Sequence, residues 1–359
     1  MTDARTLIIA EAGVNHNGDM DMAMELIDRA AEAGADMVKF QSFRAVKLAT
    51  ASAPKAAYQT AQTDASESQL EMLTRLELSV VDHQQLIDHC AARDIAFLST
   101  PFDPDSLRLL VETFKLGRIK LGSGELINAP LLLDVGHSGA DVILSTGMGT
   151  LSEVEQALGI LGFAMRDRDQ PPSRDAFSAA LWDQDVWALL RARVTLLHCT
   201  TEYPAKVEDT NLRAMDTMAQ AFDLPVGYSD HTEGNAISLA AVARGARVIE
   251  KHFTLDCTLP GPDHAASVEP AALADLVRDI RRVEASLGTG IKQPGVAEQA
   301  NRLIVRKCLV AARDLPAGHV LGVDDIALMR PGTGHPPIAL WDRIGTTLVR
   351  AHKAGDVLE

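Results

Sequence analysis

Short aliphatic runs alternate with longer amphipathic stretches along most of the chain, and this alternation constrains the fold more than any other feature. The aliphatic runs begin at Thr6, Met37, Ala96, Arg118, Asp141, Val194, Pro225 and Arg247. Helix-like segments lie between them, such as 20–34, 82–93, 151–162, 211–222 and 235–245. This series of strand–helix units predicts a (β/α)8 TIM barrel, with a doubly wound open sheet as the alternative.

Polar residues at the ends of the predicted strands favour the barrel. They include Glu11, Lys39, Thr100, Lys120, Ser145, His198, Ser229 and His252. In a barrel the C-terminal tips of all strands meet on one face, where the chemistry takes place. In an open sheet, strands far from the switch point would carry such residues without purpose.

A second, smaller domain is predicted at the C-terminal end. The helix-like segment 271–287 is followed by LGTGIKQPG, whose Gly and Pro residues indicate a linker. From about Arg306 the chain has short β-like pieces, CLVAA, DIALM and TLVRA. We therefore predict a barrel at 1–290, a linker at 291–305 and a β-rich domain at 306–359. Two insertions interrupt the barrel rhythm, a polar flap at 49–77 and a charged, peripheral segment at 166–185.

Charge and cysteine content narrow the class of protein. The formal net charge is −15, which disfavours binding to nucleic acid or to an anionic membrane. The four cysteines form no CxxC pair and are expected to be reduced thiols of a cytoplasmic protein. We see no signal peptide and no apolar run long enough to span a membrane.

Two histidines at strand tips predict a metal site. His231 and His252 follow consecutive strands, so their side chains can approach one divalent ion. Asp230 and Glu250 stand beside them, as expected for acids that orient metal-bound imidazoles. The alternative is two structural histidines bonded to backbone groups.

Buried lysines predict an anion site. Lys39 and Lys120 lie inside aliphatic strands, where a lysine is costly unless it meets an anion. With the neutral donors Thr100, Ser123 and Ser145, they form a pocket for a phosphate and a carboxylate. The alternative is that each lysine extends to the barrel end.

Acidic residues on the same face predict proton transfer or binding of sugar hydroxyls. Glu11 and Glu125 end the first and fourth strands, and Asp263 lies on a loop after the last strand. The alternative is that the two glutamates form ion pairs with the two lysines. Arg330 in the small domain carries no function by this reasoning alone.

Long motifs in a fixed order resemble the bacterial sialic acid synthases, including the legionaminate and pseudaminate synthases. The runs are IIAEAGVNHNGD, VKFQSF, FLSTPFD, KLGSGE, ILSTGM, LLHCTTEYP, GYSDHT, VIEKHFTLD and GPDHAAS. RPGTG is similarly placed in the family's C-terminal antifreeze-like SAF domain, a β-clip fold. The resemblance covers essentially the whole chain. It implies a transferase that joins phosphoenolpyruvate, an amino-sugar aldehyde and water into a nine-carbon sugar acid and phosphate.

The resemblance also implies site residues and an assembly. The metal, usually Mn2+ with Mg2+ or Co2+ as alternatives, is expected on His231 and His252, polarising the aldehyde oxygen. Phosphoenolpyruvate is expected to meet Lys39, Thr100, Lys120, Ser123, Ser145 and Ser229. On the sugar side we expect Glu11, Glu125, Tyr203 and Asp263, with Glu11, Glu125 and Lys120 as the catalytic residues. Arg330 is expected to act from the SAF domain of the partner in a domain-swapped homodimer.

Some positions depart from the family pattern, and some choices stay open. Thr201 stands where some members have an Asn, and GTGHPP replaces the more usual turn after Arg330. The acceptor is either N-acetylmannosamine, giving N-acetylneuraminate, or a 2,4-diacetamido-trideoxyhexose, giving diacetyllegionaminate. Alternatives are a pseudaminate synthase or another phosphoenolpyruvate-dependent synthase or aldolase. A non-enzymatic carbohydrate- or ice-binding role for the small domain leaves the charged strand tips unexplained.

Overall fold

The chain forms two compact units. The computed structural model describes residues 5–50, 53, 55, 67–166 and 169–358. The units are Met1–Gly288 and Thr289–Glu359.

The first unit is a closed parallel barrel. Its strands are β1 (Leu7–Gly13), β2 (Met37–Ser42), β3 (Ala96–Pro101), β4 (Arg118–Leu121), β5 (Asp141–Ser145), β6 (Val194–Cys199), β7 (Val226–Asp230) and β8 (Val248–His252). Hydrogen bonds connect them in the order β3-β2-β1-β8-β7-β6-β5-β4. Strands β3 and β4 also lie side by side, which closes the ring. The predicted barrel is confirmed, and the open-sheet alternative is wrong.

Helices surround the barrel. They are α1 (Met20–Glu32), α2 (Ala45–Leu48), α3 (Gln69–Leu76), α4 (Val80–Ala92), α5 (Pro104–Arg108), α6 (Ala129–Ser138), α7 (Leu151–Arg166), α8 (Arg174–Ala180), α9 (Gln184–Arg193), α10 (Arg213–Phe222), α11 (Ala236–Ala243) and α12 (Pro270–Leu287). Local sequence sets several helix starts: Asp19 caps α1, and Ser79 forms a capping box with Asp82 at α4. Among the described residues, no helix combines the length and the apolar character that a membrane span requires.

Side-chain alternation along the strands builds the interior in layers. One apolar cluster inside the barrel consists of Ile9, Met37, Leu98, Ile143, Leu197 and Val248. Successive side chains of a strand point to opposite faces, so the residue two positions later points inward again. Those next inward positions are polar: Glu11, Lys39, Thr100, Ser145, Cys199 and Glu250. A polar layer therefore lies directly above an apolar one, at the C-terminal end of the barrel.

Both predicted insertions contain helices. The segment 166–185 contains α8, whose Phe177 ring packs edge-on against Phe163 of α7 at 5.2 Å. The described part of the 49–77 flap contains α3, and its residues 51, 52, 54 and 56–66 lie outside the described ones.

The second unit contains α13 (Val296–Val305), β9 (Cys308–Ala311), β10 (Ile326–Met329) and α14 (Leu340–Arg343). Strands β9 and β10 are antiparallel, and isolated bridges such as Val320–Thr347 replace the strand predicted at TLVRA. The predicted linker 291–305 contains α13, whose first turn is capped by Glu298 bonding the backbone of Gly295 at 2.9 Å. Large apolar residues of this unit are exposed, including Val296, Leu303, Ile304, Ile338 and Trp341.

Candidate active site

A cavity of about 330 Å³ opens at the C-terminal tips of the barrel strands. It brings together most of the residues predicted from the sequence: Glu11, Lys39, Thr100, Lys120, Ser123, Ser145, Tyr203, Ser229, His231, His252 and Asp263. They come from seven strands and the loops that follow, so only the closed barrel makes them neighbours.

Two predicted site residues do not line this cavity. Glu125 lies in a short 3-10 turn after β4, half-buried, and its Oε2 accepts a hydrogen bond of 2.6 Å from Asn128 Nδ2. Arg330 follows β10 in the second unit and is exposed. Their predicted roles at the substrate stay predictions.

Two acids and two lysines form what we call the charged floor: Glu11, Lys39, Lys120 and Glu250. Lys39 Nζ lies 2.6 Å from Glu11 Oε2 and 3.7 Å from Glu250 Oε2. Lys120 Nζ lies 3.4 Å from Glu250 Oε1. Each of the four is at most 5% exposed. An isolated buried charge is very costly in free energy. These ion pairs offset the cost of burying the four charged side chains.

The two acids of the charged floor differ in protonation. Burial raises the pKa of Glu11 to about 7, although Lys39 opposes the shift. Burial also acts on Glu250, but Lys120 and Lys39 outweigh it and lower its pKa to about 2. At neutral pH Glu250 is a fixed anion, whereas Glu11 exchanges its proton.

Hydroxyl groups of β3, β5 and the loop after β4 extend the floor. Lys120 Nζ donates to Ser145 Oγ at 2.7 Å, and Lys39 Nζ donates to Thr100 Oγ1 at 3.2 Å. The backbone N–H of Gly147 donates to Ser123 Oγ at 3.0 Å. A Cβ atom at Gly147 would lie 2.7 Å from that hydroxyl and 2.9 Å from Cys199 Sγ, so the site requires glycine there.

The two histidines are arranged as neutral ligands for a cation. The ring centroids of His231 and His252 are 5.4 Å apart, and Tyr203 packs against both rings. Burial lowers the pKa of both imidazoles, and that of His252 falls well below its usual value. The Nδ1 atom of His231 lies 2.6 Å from the carbonyl oxygen of Thr200. Its Nε2 has only a long contact of 3.4 Å with Ser229 Oγ, which a ligand can replace.

An orphaned atom strengthens this fit. His252 Nδ1 is buried, and none of the described residues forms a hydrogen bond with it. Within the described part of the chain, no group of three or more His, Cys, Asp or Glu side chains encloses a metal ion. The two histidines offer two nitrogen ligands, so an ion held here would take its remaining ligands from water or substrate.

The acids expected to orient these imidazoles do not bond to them. Asp230 pairs with Lys251 at 3.0 Å on the outer side of the barrel wall, where both are fully buried. Glu250 accepts from Ser229 Oγ at 2.8 Å and belongs to the charged floor. Alternation along β7 and β8 explains both positions. Residues 230 and 251 point outward from the barrel, whereas Ser229 and Glu250 beside them point inward. The alternation of inward and outward positions along β8 is the sequence signal that could have placed Glu250 with the lysines.

Asp263 joins the site from the loop after β8. Burial raises its pKa to about 6. A Cβ on Gly13, which has φ of +53°, would lie 3.2 Å from Glu11 Oε1 and 3.6 Å from Asp263 Oδ2. The bare backbone of Gly13 thus lets two ionisable carboxyl groups approach each other.

One side of the cavity is apolar, and we call it the apolar wall. It consists of Val14, Leu48, Met72, Leu73, Leu76 and Phe102. Most of these residues belong to a separate hydrophobic cluster that holds α2 and α3 against the loops after β1 and β3. Sequence reasoning missed this wall, because the polar composition of 49–77 conceals the apolar face of α3.

Family models cover both units. The model of the NeuB family matches residues 26–292, and the model of the SAF domain matches residues 306–359. The chain belongs to the NeuB family. The predicted family resemblance and the SAF domain are thereby confirmed.

Individual relatives of this NeuB-family chain are named for sugar-acid synthesis. The N,N'-diacetyllegionaminic acid synthase of Campylobacter jejuni is 45% identical over 99% of both chains. The enzyme of the same name from Legionella pneumophila is 43% identical over 98% of this chain and 92% of its own. A crystal structure of sialic acid synthetase from Leptospira borgpetersenii, in complex with citrate, is similar with a TM-score of 0.68 and 32% identity. The match covers 84% of this chain and 91% of that one.

Proposed function

We propose that this protein is a diacetyllegionaminate synthase. It condenses phosphoenolpyruvate, water and the aldehyde of a 2,4-diacetamido-trideoxyhexose into the nine-carbon acid, and releases phosphate. The observation that carries the proposal is the buried pair Lys39 and Lys120 above an apolar barrel core, in a NeuB-family chain. The names of the Campylobacter and Legionella relatives support the choice of product.

The charged floor accounts for phosphoenolpyruvate. Its phosphate and carboxylate need cations and hydroxyl donors, which Lys39, Lys120, Ser123 and Ser145 supply in one place. Glu11 and Glu250 hold these lysines before substrate arrives, so little ordering is required on binding.

The apolar wall supports a deoxy acceptor. Helices α2 and α3 follow β2, and Phe102 follows β3, whereas the histidines end β7 and β8. In an eight-stranded ring, β3 lies opposite β7. An acceptor with its aldehyde near His231 therefore turns its far end toward Leu48 and Phe102. A methyl group fits such a surface better than a hydroxyl or phosphate does.

We propose a divalent cation, Mn2+ in the first instance, on His231 and His252. When bound, the ion supplies Lewis-acid polarisation of the aldehyde oxygen. The chain's own residues do the rest: the lysines hold phosphoenolpyruvate so that its C3 faces the aldehyde carbon. After the carbon–carbon bond forms, water adds to C2 and Glu11 accepts its proton, which the pKa of about 7 permits. Phosphate then leaves with cleavage of its bond to C2.

A cytoplasmic location belongs to the proposal. The four cysteines, Cys90, Cys199, Cys257 and Cys308, are all free, as expected in a reducing compartment.

A phosphate-release assay with three acceptors tests the proposed function. The wild-type protein is incubated with phosphoenolpyruvate, Mn2+ and either the diacetamido-trideoxyhexose, N-acetylmannosamine or N-acetylmannosamine 6-phosphate. We expect the highest kcat/KM with the diacetamido-trideoxyhexose and no release without a sugar. Highest activity with N-acetylmannosamine would make the protein a neuraminate synthase instead. Absence of release with every sugar would refute the synthase function.

We further propose a homodimer in which the SAF domain of one chain serves the barrel of the other. Exposed apolar residues such as Leu303, Ile338 and Trp341 support an association of this kind. Arg330 is the residue through which the second unit would contact the sugar.

Complementation between two inactive variants tests this assembly. Arg330→Ala and Glu11→Gln proteins are mixed under conditions where subunit exchange is verified by mass spectrometry. We expect partial recovery of activity, because one of the two sites in a mixed dimer then has an intact barrel and an intact arginine. A mixed dimer as inactive as its parents would exclude action of Arg330 on the partner's barrel.

A further inference from the structure

The segment VNHNGD after β1 contains buried polar residues to which the proposed chemistry assigns no task. Asn15 is 1% exposed, although it sits in a turn rather than in a strand. Burying an amide is costly unless its donors are satisfied, so its contacts indicate what it does.

The side chain of Asn15 joins β1 to the loop that carries Asp263. Its Nδ2 donates to the carbonyl oxygen of Phe253 and to Ser267 Oγ, both at 2.9 Å. Ser267 Oγ in turn donates to the carbonyl oxygen of Asp263 at 2.6 Å. Both amide hydrogens are therefore used to fix one loop.

The same contacts relate Asp263 to Glu11. The backbone N–H of Phe253 donates to the carbonyl oxygen of Glu11 at 2.8 Å, so the start of the loop is already tied to β1. Between Phe253 and Ser267 the chain has only a short 3-10 turn, His264–Ala266. Backbone hydrogen bonds of Val268 with His252 and Thr254 close the base of this loop. Asn15 adds a side-chain connection through Ser267 to the carbonyl group of Asp263.

We propose that Asn15, acting through Ser267, is a positioning residue that holds the Asp263 carboxyl in place at the acceptor. This inference rests on the proposed function, with Asp263 at the acceptor as the family resemblance implies. It differs from a purely structural role, because its loss affects the acceptor while the charged floor that binds phosphoenolpyruvate stays intact.

Steady-state kinetics of Asn15→Ala, Ser267→Ala and Ser267→Thr test the inference. We expect each alanine variant to raise the KM for the acceptor about tenfold, the loss of a hydrogen bond, with the KM for phosphoenolpyruvate unchanged. Ser267→Thr keeps the hydroxyl and should retain wild-type kinetics. The double alanine variant should be no worse than the poorer single one, because both break the same connection.

Asn17→Gly is the matched control. Asn17 Nδ2 donates to the carbonyl oxygen of Pro260 in an exposed bond, and its φ of +52° suits glycine. This variant removes a hydrogen bond to the outer part of the same loop. We expect its KM for the acceptor to stay near the wild-type value.

Three outcomes would overturn the inference. One is an alanine variant with a lowered Tm and unchanged acceptor KM; another is an equal rise in both KM values. The third is a Ser267→Thr variant as defective as Ser267→Ala, and the Ser267 pair decides the matter even if Asn15→Ala does not fold. Product formation by the wild type reports separately on the proposed function.

Discussion

The charged floor and the apolar wall enclose the same cavity but arise in different ways. The charged floor comes from strand tips, where Glu11, Lys39, Lys120 and Glu250 are held by mutual ion pairs. The apolar wall comes from short helices and loops that pack in a cluster of their own. Breaking a buried ion pair is strongly destabilising, whereas changing one apolar contact costs little.

Because of this difference, we expect the charged floor to serve the reaction itself and the apolar wall to serve the choice of sugar. A change in the floor lowers the activity, since each charge depends on another. The wall can change its shape with little effect on the floor. We therefore expect floor substitutions to lower activity with every sugar and wall substitutions to change the preference among sugars.

The largest effect is expected at the histidines beside the charged floor. His252→Ala should reduce turnover by about three orders of magnitude with every acceptor, since several kcal/mol of Lewis-acid stabilisation is lost. Mn2+ binding, measured by calorimetry on the same protein, should weaken in parallel. Full activity of the variant, or of wild type in excess chelator, would refute the metal assignment.

Glu11→Gln should come next. Its kcat should fall about 100-fold, the effect of losing a general base. The pKa of Glu11 is raised to about 7, so the carboxylate form is lost as the pH falls through 7. The wild-type kcat/KM should therefore decline below that pH, and the residual activity of the variant should be flat from pH 6 to 8. A decline that persists in the variant would assign the titration to another group.

Lys120→Ala should have a smaller and more selective effect. Loss of one charge-assisted contact to a desolvated anion costs about 1.5–3 kcal/mol, which raises the KM for phosphoenolpyruvate roughly 10- to 150-fold. The KM for the sugar should change little. A raised KM for the sugar with an unchanged KM for phosphoenolpyruvate would mean that we have assigned the two substrates to the wrong halves of the cavity.

The smallest effect is expected at the apolar wall. Leu48→Asn should reduce the preference for the diacetamido-trideoxyhexose over N-acetylmannosamine by about tenfold, since an apolar contact contributes about 1–3 kcal/mol. Val46→Asn is its control on α2, because Val46 is 78% exposed and does not line the cavity. An equal loss of activity with both sugars would contradict a role of the apolar wall in sugar preference. The same change of preference in Leu48→Asn and Val46→Asn would contradict it as well.

The sequence by itself determined the barrel and most of its catalytic face. Eight aliphatic runs, each ending in polar residues, permit few other folds, because strand tips converge only when the sheet closes. The two histidines that we propose as metal ligands and the two buried lysines were found in this way. The SAF domain came from the family resemblance and not from periodicity.

Only the tertiary structure decided which groups are partners. Lys39 could pair with any nearby acid, and the register of β1 against β2 places Glu11 directly beside it. Glu250 faces the lysines while Asp230 faces outward, and Glu125 bonds to Asn128 outside the cavity lining. Periodicity fixes which face of a strand a side chain occupies, but a contact also needs the register between strands and the paths of the loops. Those depend on packing across the whole barrel, which no single segment encodes.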